Sequence, residues 1–216
     1  MTVDRTGVAA FLLDLDGTLV DSEPLHRASY VAWFDHRGWE LPDLGIFTGR
    51  RAEDVFAAEP GPWSGLDPTA LAREVVAFVP DAPPAPVPGA RELLVAARSA
   101  GVRLAIVTSA GPDWVERSLA ALSLPLDGVD LVVTARDVVD GKPHPAGYAL
   151  ACERLDVEAA HAVAAEDSPA GVRAALGAGV RRVHGIRTTH VREQLSAAGA
   201  VEVHDDLRPL LAFLPS

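Results

Sequence analysis

The chain is poor in cysteine, in lysine and in positive charge generally, and each shortage narrows what it can be. A single cysteine, Cys152, makes an internal disulfide impossible and points to a reducing compartment, the cytoplasm. Lys and Arg total 19 against 30 Asp and Glu, a formal net charge of −11, which argues against nucleic acid and anionic membranes as partners. No apolar run approaches the roughly 18 residues of a membrane span. The apolar stretch from Val8 to Leu13 runs straight into Asp14, unlike a signal peptide. What remains is 216 residues, 49% hydrophobic and 23% charged, the composition of a folded soluble protein. At roughly 150 residues per domain, one large domain or a main domain with an insert is expected. Lysine is the sharpest shortage: Lys142 is the only one among 19 basic residues. A lysine kept where arginine is otherwise used suits a position that needs a compact ammonium rather than a planar guanidinium.

Apolar runs without polar alternation, buried on both faces, mark strands of a parallel sheet between helices. Val8–Leu15 is the first; Arg103–Val107, Leu131–Val133, His161–Ala165 and Val180–His184 follow. Helices are expected between them at Gly89–Ala100, Pro112–Leu122, Pro145–Leu155 and Pro169–Ala178, several opening on proline as helix starts do. The alternation predicts an α/β fold: a Rossmann-like parallel sheet with helices on both faces. The interval after the first strand is too long for one crossover. Residues 22–80 read as helices only, at Pro24–Gly38, Arg51–Ala58 and Pro68–Val79, and hold eight of the twelve aromatics. A proline-rich stretch, 81–88, which should be stiff and extended, leads back. The expectation is a small all-helical domain at 22–80 inserted into a core formed by 1–21 and 81–216.

Four segments carry chemistry. Asp14-Leu-Asp16-Gly-Thr18 begins where the first apolar strand ends; in extended geometry Asp14 and Asp16 share a face, at the sheet edge where open α/β folds place ligands. Adjacent carboxylates need a cation or a shared proton, which suits a hard cation such as Mg²⁺ or a general acid. Thr108-Ser109 ends the second strand ahead of a Gly-Pro helix start, a place where hydroxyls and free N–H groups suit a phosphate oxygen. Gly141-Lys142-Pro-His-Pro145 presents the sole lysine from a turn stiffened by proline. Glu166-Asp167 ends another apolar strand and adds two carboxylates to the same edge. Together they suit phosphoryl transfer through an aspartyl-phosphate, with Mg²⁺ and Lys142 offsetting phosphate charge.

With these four motifs in this order the sequence resembles the haloacid-dehalogenase superfamily of phosphohydrolases, in the branch whose helical cap follows strand one. The resemblance implies Asp14 as nucleophile, Asp16 as general acid/base, Thr108 and Lys142 as catalytic phosphate contacts, and Mg²⁺ held by Asp14, the Asp16 carbonyl and Asp167, with Glu166 behind or through water. It disfavours dehalogenases proper, which lack the second Asp, and ATP-driven pumps, which carry Asp-Lys-Thr. Phe47-Thr-Gly-Arg50-Arg51, Val107-Thr-Ser109 and Gly185-Ile-Arg-Thr-Thr189 look most similar to sugar- or polyol-phosphate phosphatases. β-Phosphoglucomutase, a phosphomutase, shares all four motifs and is the alternative. One departure is Ala146-Gly147, where relatives carry an acid, with a consequence for helix capping. Since the cap has no lysine, Arg51, Arg50 and His26 are the candidate substrate contacts there, beside Ser109. The expected partner is a small phosphorylated metabolite, handled by a cytoplasmic monomer or weak homodimer.

Overall fold

The computed structural model describes residues 7–48 and 50–215; Gly49, within the Phe47–Arg51 stretch singled out above, lies outside them. The chain runs β1 (Ala10–Leu13), β2 (Val20–Asp21), α1 (Glu23–Arg37), α2 (Ala52–Ala58), α3 (Pro68–Val76), β3 (Ala85–Pro86), α4 (Ala90–Ser99), β4 (Arg103–Val107), α5 (Pro112–Ala121), β5 (Leu131–Val133), α6 (Ala146–Leu155), β6 (Ala162–Glu166), α7 (Pro169–Gly177), β7 (Arg182–Ile186), α8 (Arg192–Ala198) and β8 (Glu202–His204). Six strands form one sheet in the order β5-β4-β1-β6-β7-β8, every pair parallel. The fold is α/β and Rossmann-like, as the alternation of strands and helices predicts.

β1 sits inside the sheet, and all four of its residues are buried. Alternate residues point to opposite faces. Phe11 and Leu13 pack with Leu104, Ile106 and Val163 under α4 and α5, while Ala10 and Leu12 pack with Ala105, Val107 and Ala164 under α6 and α7. This two-sided burial explains why β1 has no polar alternation. Leu13 pairs with Ile106 of β4 and with Ala165 of β6, so three strands end level and their next residues meet at one edge.

Between β1 and β4 the helices α1, α2 and α3 enclose an apolar cluster of their own, built on Trp33, Phe34, Phe47, Phe56 and Trp63. Its buried indole N–H groups are satisfied: Trp33 donates to Glu74 at 3.1 Å and Trp63 to the Glu59 carbonyl at 3.0 Å. Gly38 ends α1 with φ 65°, a left-handed turn suited to glycine. The chain leaves the sheet and returns to it side by side, because Val20–Asp21 pairs antiparallel with Ala85–Pro86. The proline-rich stretch is thus extended, and Arg117 holds its start through the carbonyls of Pro80 and Ala82, each at 2.6 Å.

Several boundaries differ from expectation. β1 is shorter than Val8–Leu15 because the chain turns after Asp14. β6 and β7 are displaced by one and two residues from the expected strands, and α3 stops at Val76 rather than Val79. The sequence pattern missed α8 and β8. α8 buries only Leu195, which is too little for a visible apolar stripe, and β8 is a three-residue edge strand with alternating burial.

Phe34, buried among Trp33, Trp39 and Trp63, anchors the helical cluster. Phe34→Ala is expected to cost about 3–5 kcal/mol in urea unfolding, whereas Val31→Ala, on the exposed side of α1, should change stability by less than about 0.5 kcal/mol.

Candidate active site

The level ends of β1, β4 and β6 and the loop after β5 bring the four motifs together. Lys142 reaches into the sheet edge and is nearly buried. Its Nζ lies 2.5 Å from Asp14 Oδ1, 2.5 Å from Glu166 Oε1 and 3.0 Å from the Val107 carbonyl. It also sits 5.5 Å from the centre of the Tyr148 ring. Burial alone would lower the ammonium's pKa, but Asp14 and Glu166 outweigh it and hold it above the ordinary value. The turn presenting Lys142 is closed by a hydrogen bond from His144 N–H to the Gly141 carbonyl, 2.9 Å. Helix α6 then starts at Pro145 without a side-chain cap, where Ala146-Gly147 leaves no acid to provide one.

Three carboxylates meet here. Oxygens of Asp14, Glu166 and Asp167 lie within 4.8 Å of one another, and all three residues are buried. Burial pushes the Asp14 carboxyl up to about 7 against the pull of Lys142. Burial, reinforced by the charges of Asp14 and Glu166, holds Asp167 well above the carboxylate range. One lysine cannot balance three acids, so the group takes up either protons or a cation. An all-oxygen, buried donor set fits a hard divalent ion.

The carboxylates are not equivalent. Glu166 is fully engaged: besides Lys142 it accepts from the Tyr148 hydroxyl at 2.7 Å and from the Ser168 hydroxyl at 3.2 Å. Ser168 meanwhile caps α7 by accepting from Gly171 N–H at 3.0 Å. A Cβ at Gly171 would overlap the Glu166 carboxylate. Asp167 accepts from the Thr189 hydroxyl and lies against Gly17, whose φ of 77° and lack of a side chain let the turn after Asp16 pass beside it.

Asp16 is turned elsewhere. The chain bends at Leu15, so the two aspartates do not line one extended face, and the Asp16 carboxylate stands outside the three-acid group. Its Oδ1 accepts from Ser22 Oγ at 2.6 Å, from Trp114 Nε1 at 2.7 Å, and lies 3.4 Å from His26 Nε2. Burial pulls its pKa up, but the His26 hydrogen bond and charge, with the Ser22 and Trp114 bonds, bring it below the usual value. His26 is correspondingly raised by Asp16, against its own burial, and packs on Trp114 with ring centres 5.1 Å apart.

Thr108 and Ser109 line a narrow cleft with Lys142, His144, Tyr148 and Arg51. Thr108 Oγ1 also accepts from Ala110 N–H at 3.0 Å, an internal cap of the turn. Arg51 stands at the N-cap of α2, against Gly141, with its buried Nε lacking a hydrogen-bond partner among the described residues. Arg50 goes elsewhere: its guanidinium pairs with Glu59 Oε1 at 2.7 Å on the surface, so the expected pair of arginines divides. Ser22, Trp114 and Tyr148 escaped sequence reasoning, and of Thr189 it saw the Gly185–Thr189 stretch but not the contact with Asp167, since each is an ordinary helix-start, helix or loop residue whose place is set by chain segments far away in sequence.

Removing the lysine's charge strands buried carboxylates. Without divalent ions at pH 8, Lys142→Met is expected to lose about 3–5 kcal/mol in denaturant unfolding, and adding Glu166→Gln should restore part of the loss.

Comparison with known proteins identifies the family. The family model for haloacid dehalogenase-like hydrolases matches residues 8–179. Validoxylamine A 7'-phosphate phosphatase of Streptomyces hygroscopicus subsp. limoneus is 41% identical, covering 87% of this chain and 89% of its own. Hexitol phosphatase A of Escherichia coli K12 is 32% identical, covering 78% and 79%. A crystal structure of a CbbY variant from Rhodobacter sphaeroides in complex with xylulose-(1,5)bisphosphate superposes with a TM-score of 0.82 at 30% identity, over 97% of this chain and 100% of that one. With four motifs meeting at one sheet edge and the family match spanning most of its length, the chain belongs to the haloacid dehalogenase-like hydrolases.

Proposed function

We propose that the protein is a Mg²⁺-dependent phosphatase of a small phosphorylated sugar, polyol or related metabolite, working through an aspartyl-phosphate. The enzyme is a phosphoric monoester hydrolase. The observation that carries the mechanism is the contrast between two aspartates only two residues apart: Asp14 is held against an ammonium among buried acids, and Asp16 is tied through one oxygen to three donors. Lys142, 2.5 Å from Asp14, pulls its pKa down against burial and so favours the ionised nucleophile, while Asp16, outside the group of three acids, is left for the acid/base step.

Asp14 attacks phosphorus in line with the bond to the leaving oxygen; the Asp14 O–P bond forms as that bond breaks. Lys142, with Thr108 and Ser109, holds the phosphoryl oxygens and balances their charge. Asp16 gives a proton to the departing alkoxide, then takes one from the water that attacks phosphorus and frees Asp14. With Oδ1 committed to Ser22, Trp114 and His26, Oδ2 is the oxygen that exchanges the proton. Asp14 and Asp167 carboxylates and the Asp16 carbonyl would hold Mg²⁺, with Glu166 behind them; when bound, the ion supplies positive charge to the phosphoryl oxygens. Glu166, already engaged by Lys142, Tyr148 and Ser168, positions the lysine.

Residues 22–80 act as a cap domain over the core of 1–21 and 81–216. The cleft beneath Arg51 has about the room of one water molecule, too little for a sugar phosphate. Substrate therefore enters when the cap lifts, and the adjacent crossings at Val20–Asp21 and Ala85–Pro86 are the hinge. Closure excludes bulk water and presents Arg51, whose buried Nε awaits an acceptor, to the non-phosphoryl part of the substrate. The sugar and polyol class rests on the names of the two phosphatases and of the sugar bisphosphate in the superposed structure. None of the helices among the described residues is long and apolar enough to cross a membrane, and the lone buried thiol of Cys152 suits a cytoplasmic enzyme.

Phosphate release from a panel of phosphorylated sugars and polyols is the test, and appearance of an isomeric phosphate dependent on a bisphosphate would make the enzyme a mutase instead. Asp14→Asn should abolish turnover with an unchanged circular dichroism spectrum, and Asp16→Asn should slow it about 10²–10⁴-fold. Arg51→Ala is expected to raise KM more than it lowers kcat, a split read from saturation curves on the best substrate.

A further inference from the structure

The outer edge of the sheet carries a second group of ligating side chains, away from the motifs above. β7 and β8 pair in parallel, with His184 opposite Glu202 and Ile186 opposite His204. Glu202 and His204 are two residues apart on one strand and so share a face, and the register sets His184 beside them. Nδ1 of His184 lies 3.1 Å from Nε2 of His204. The same carboxylate oxygen, Glu202 Oε2, is 3.8 Å from the first nitrogen and 3.6 Å from the second. A point equidistant from the three atoms lies about 2 Å from each, the length of a zinc bond to imidazole nitrogen or carboxylate oxygen.

We infer that His184, His204 and Glu202 form a binding site for a borderline divalent cation of the Zn²⁺ class, which ties edge strand β8 to β7. The donor set separates this site from the acidic cleft. Two imidazole nitrogens and one carboxylate select zinc, cobalt or nickel over magnesium, which prefers oxygen throughout. The ligands are largely organised in advance: all three positions lie in the paired strands β7 and β8. The His184 ring is fully buried and packs edge-on against Phe213 with ring centres 4.9 Å apart. His204 is partly exposed and Glu202 more so, which gives an ion a route from solvent and leaves a fourth coordination position to water. Without the ion the two facing ring nitrogens share a hydrogen bond; binding needs both of them bare, so the shared proton shifts to the other nitrogen of its own ring. Arg192, Asp205 and Asp206 are the other charged groups acting on His204, and the two aspartates favour a cation there.

Calorimetric titration of the intact protein with Zn²⁺, in millimolar Mg²⁺ to compete at all-oxygen sites, tests this. The wild type should take up one zinc in a step that His204→Ala weakens at least about 100-fold, since loss of a ligand exceeds the 10–100-fold cost of losing a ligand's own partner. Glu202→Gln, at an exposed position that leaves the fold intact, should weaken the same step at least about tenfold. Co²⁺ should give the visible absorption of a four-coordinate ion in the wild type and lose it in both variants, and Zn²⁺ should raise the wild-type Tm but not that of His204→Ala. No zinc uptake in the presence of Mg²⁺, or uptake unchanged by both substitutions, would overturn the proposal and leave the imidazole pair as a hydrogen bond in the sheet edge.

Discussion

A buried ammonium between two buried carboxylates is the contact on which the rest of the structure depends. Lys142 spans Asp14 and Glu166 at 2.5 Å each, and those residues stand at the ends of the neighbouring strands β1 and β6. An ion pair out of water is costly unless its partners are fully satisfied. Here the satisfaction is shared out: Tyr148 and Ser168 complete Glu166, and the Val107 carbonyl completes the lysine. Arginine could supply the charge but not a point donor to three acceptors in so small a space. The chain's only lysine stands where its shape is needed.

The same three acids that hold the lysine carry more negative charge than it can balance. Burial answers by raising Asp14 and Asp167 toward protonation. That excess charge is poor for stability and good for cation binding, a familiar trade in sites that hold a hard ion. Asp16, two residues from Asp14, escapes this environment because the chain bends at Leu15 and Trp114, Ser22 and His26 gather its oxygen. Two identical side chains thereby acquire opposite acidities. The helical segment takes part in this wiring, since His26 belongs to α1 and Arg51 stands at the start of α2.

Much of this was legible in the residues. The unbroken apolar runs marked the inner strands, because a strand buried on both faces has no polar alternation to blur it. The boundaries of β4 and β5 and the start of α5 fall where the sequence places them, at a run of aliphatics or at a proline. Asp14 and Glu166-Asp167 stand out as charges that end such runs, and Lys142 as the sole lysine in a proline-stiffened turn. α8 and β8 were invisible because a helix burying one leucine and a three-residue edge strand leave no periodic trace. Arg51 and Arg50 were both candidates on paper: adjacent residues at a helix start point in different directions, and only the packing of that helix sends one to the cleft and the other to Glu59.

By itself, then, the order of residues determined the α/β class, the strand ends that bear acids and hydroxyls, and the singular lysine, since these follow from local burial pattern and residue chemistry. Tertiary structure alone decided which oxygen each donor reaches. That Trp114 serves Asp16, Tyr148 serves Glu166 and His184 faces His204 depends on strand order and on the turn at Gly17, where pieces of chain distant in sequence come within hydrogen-bond reach, and no short-range pattern encodes distances of that kind.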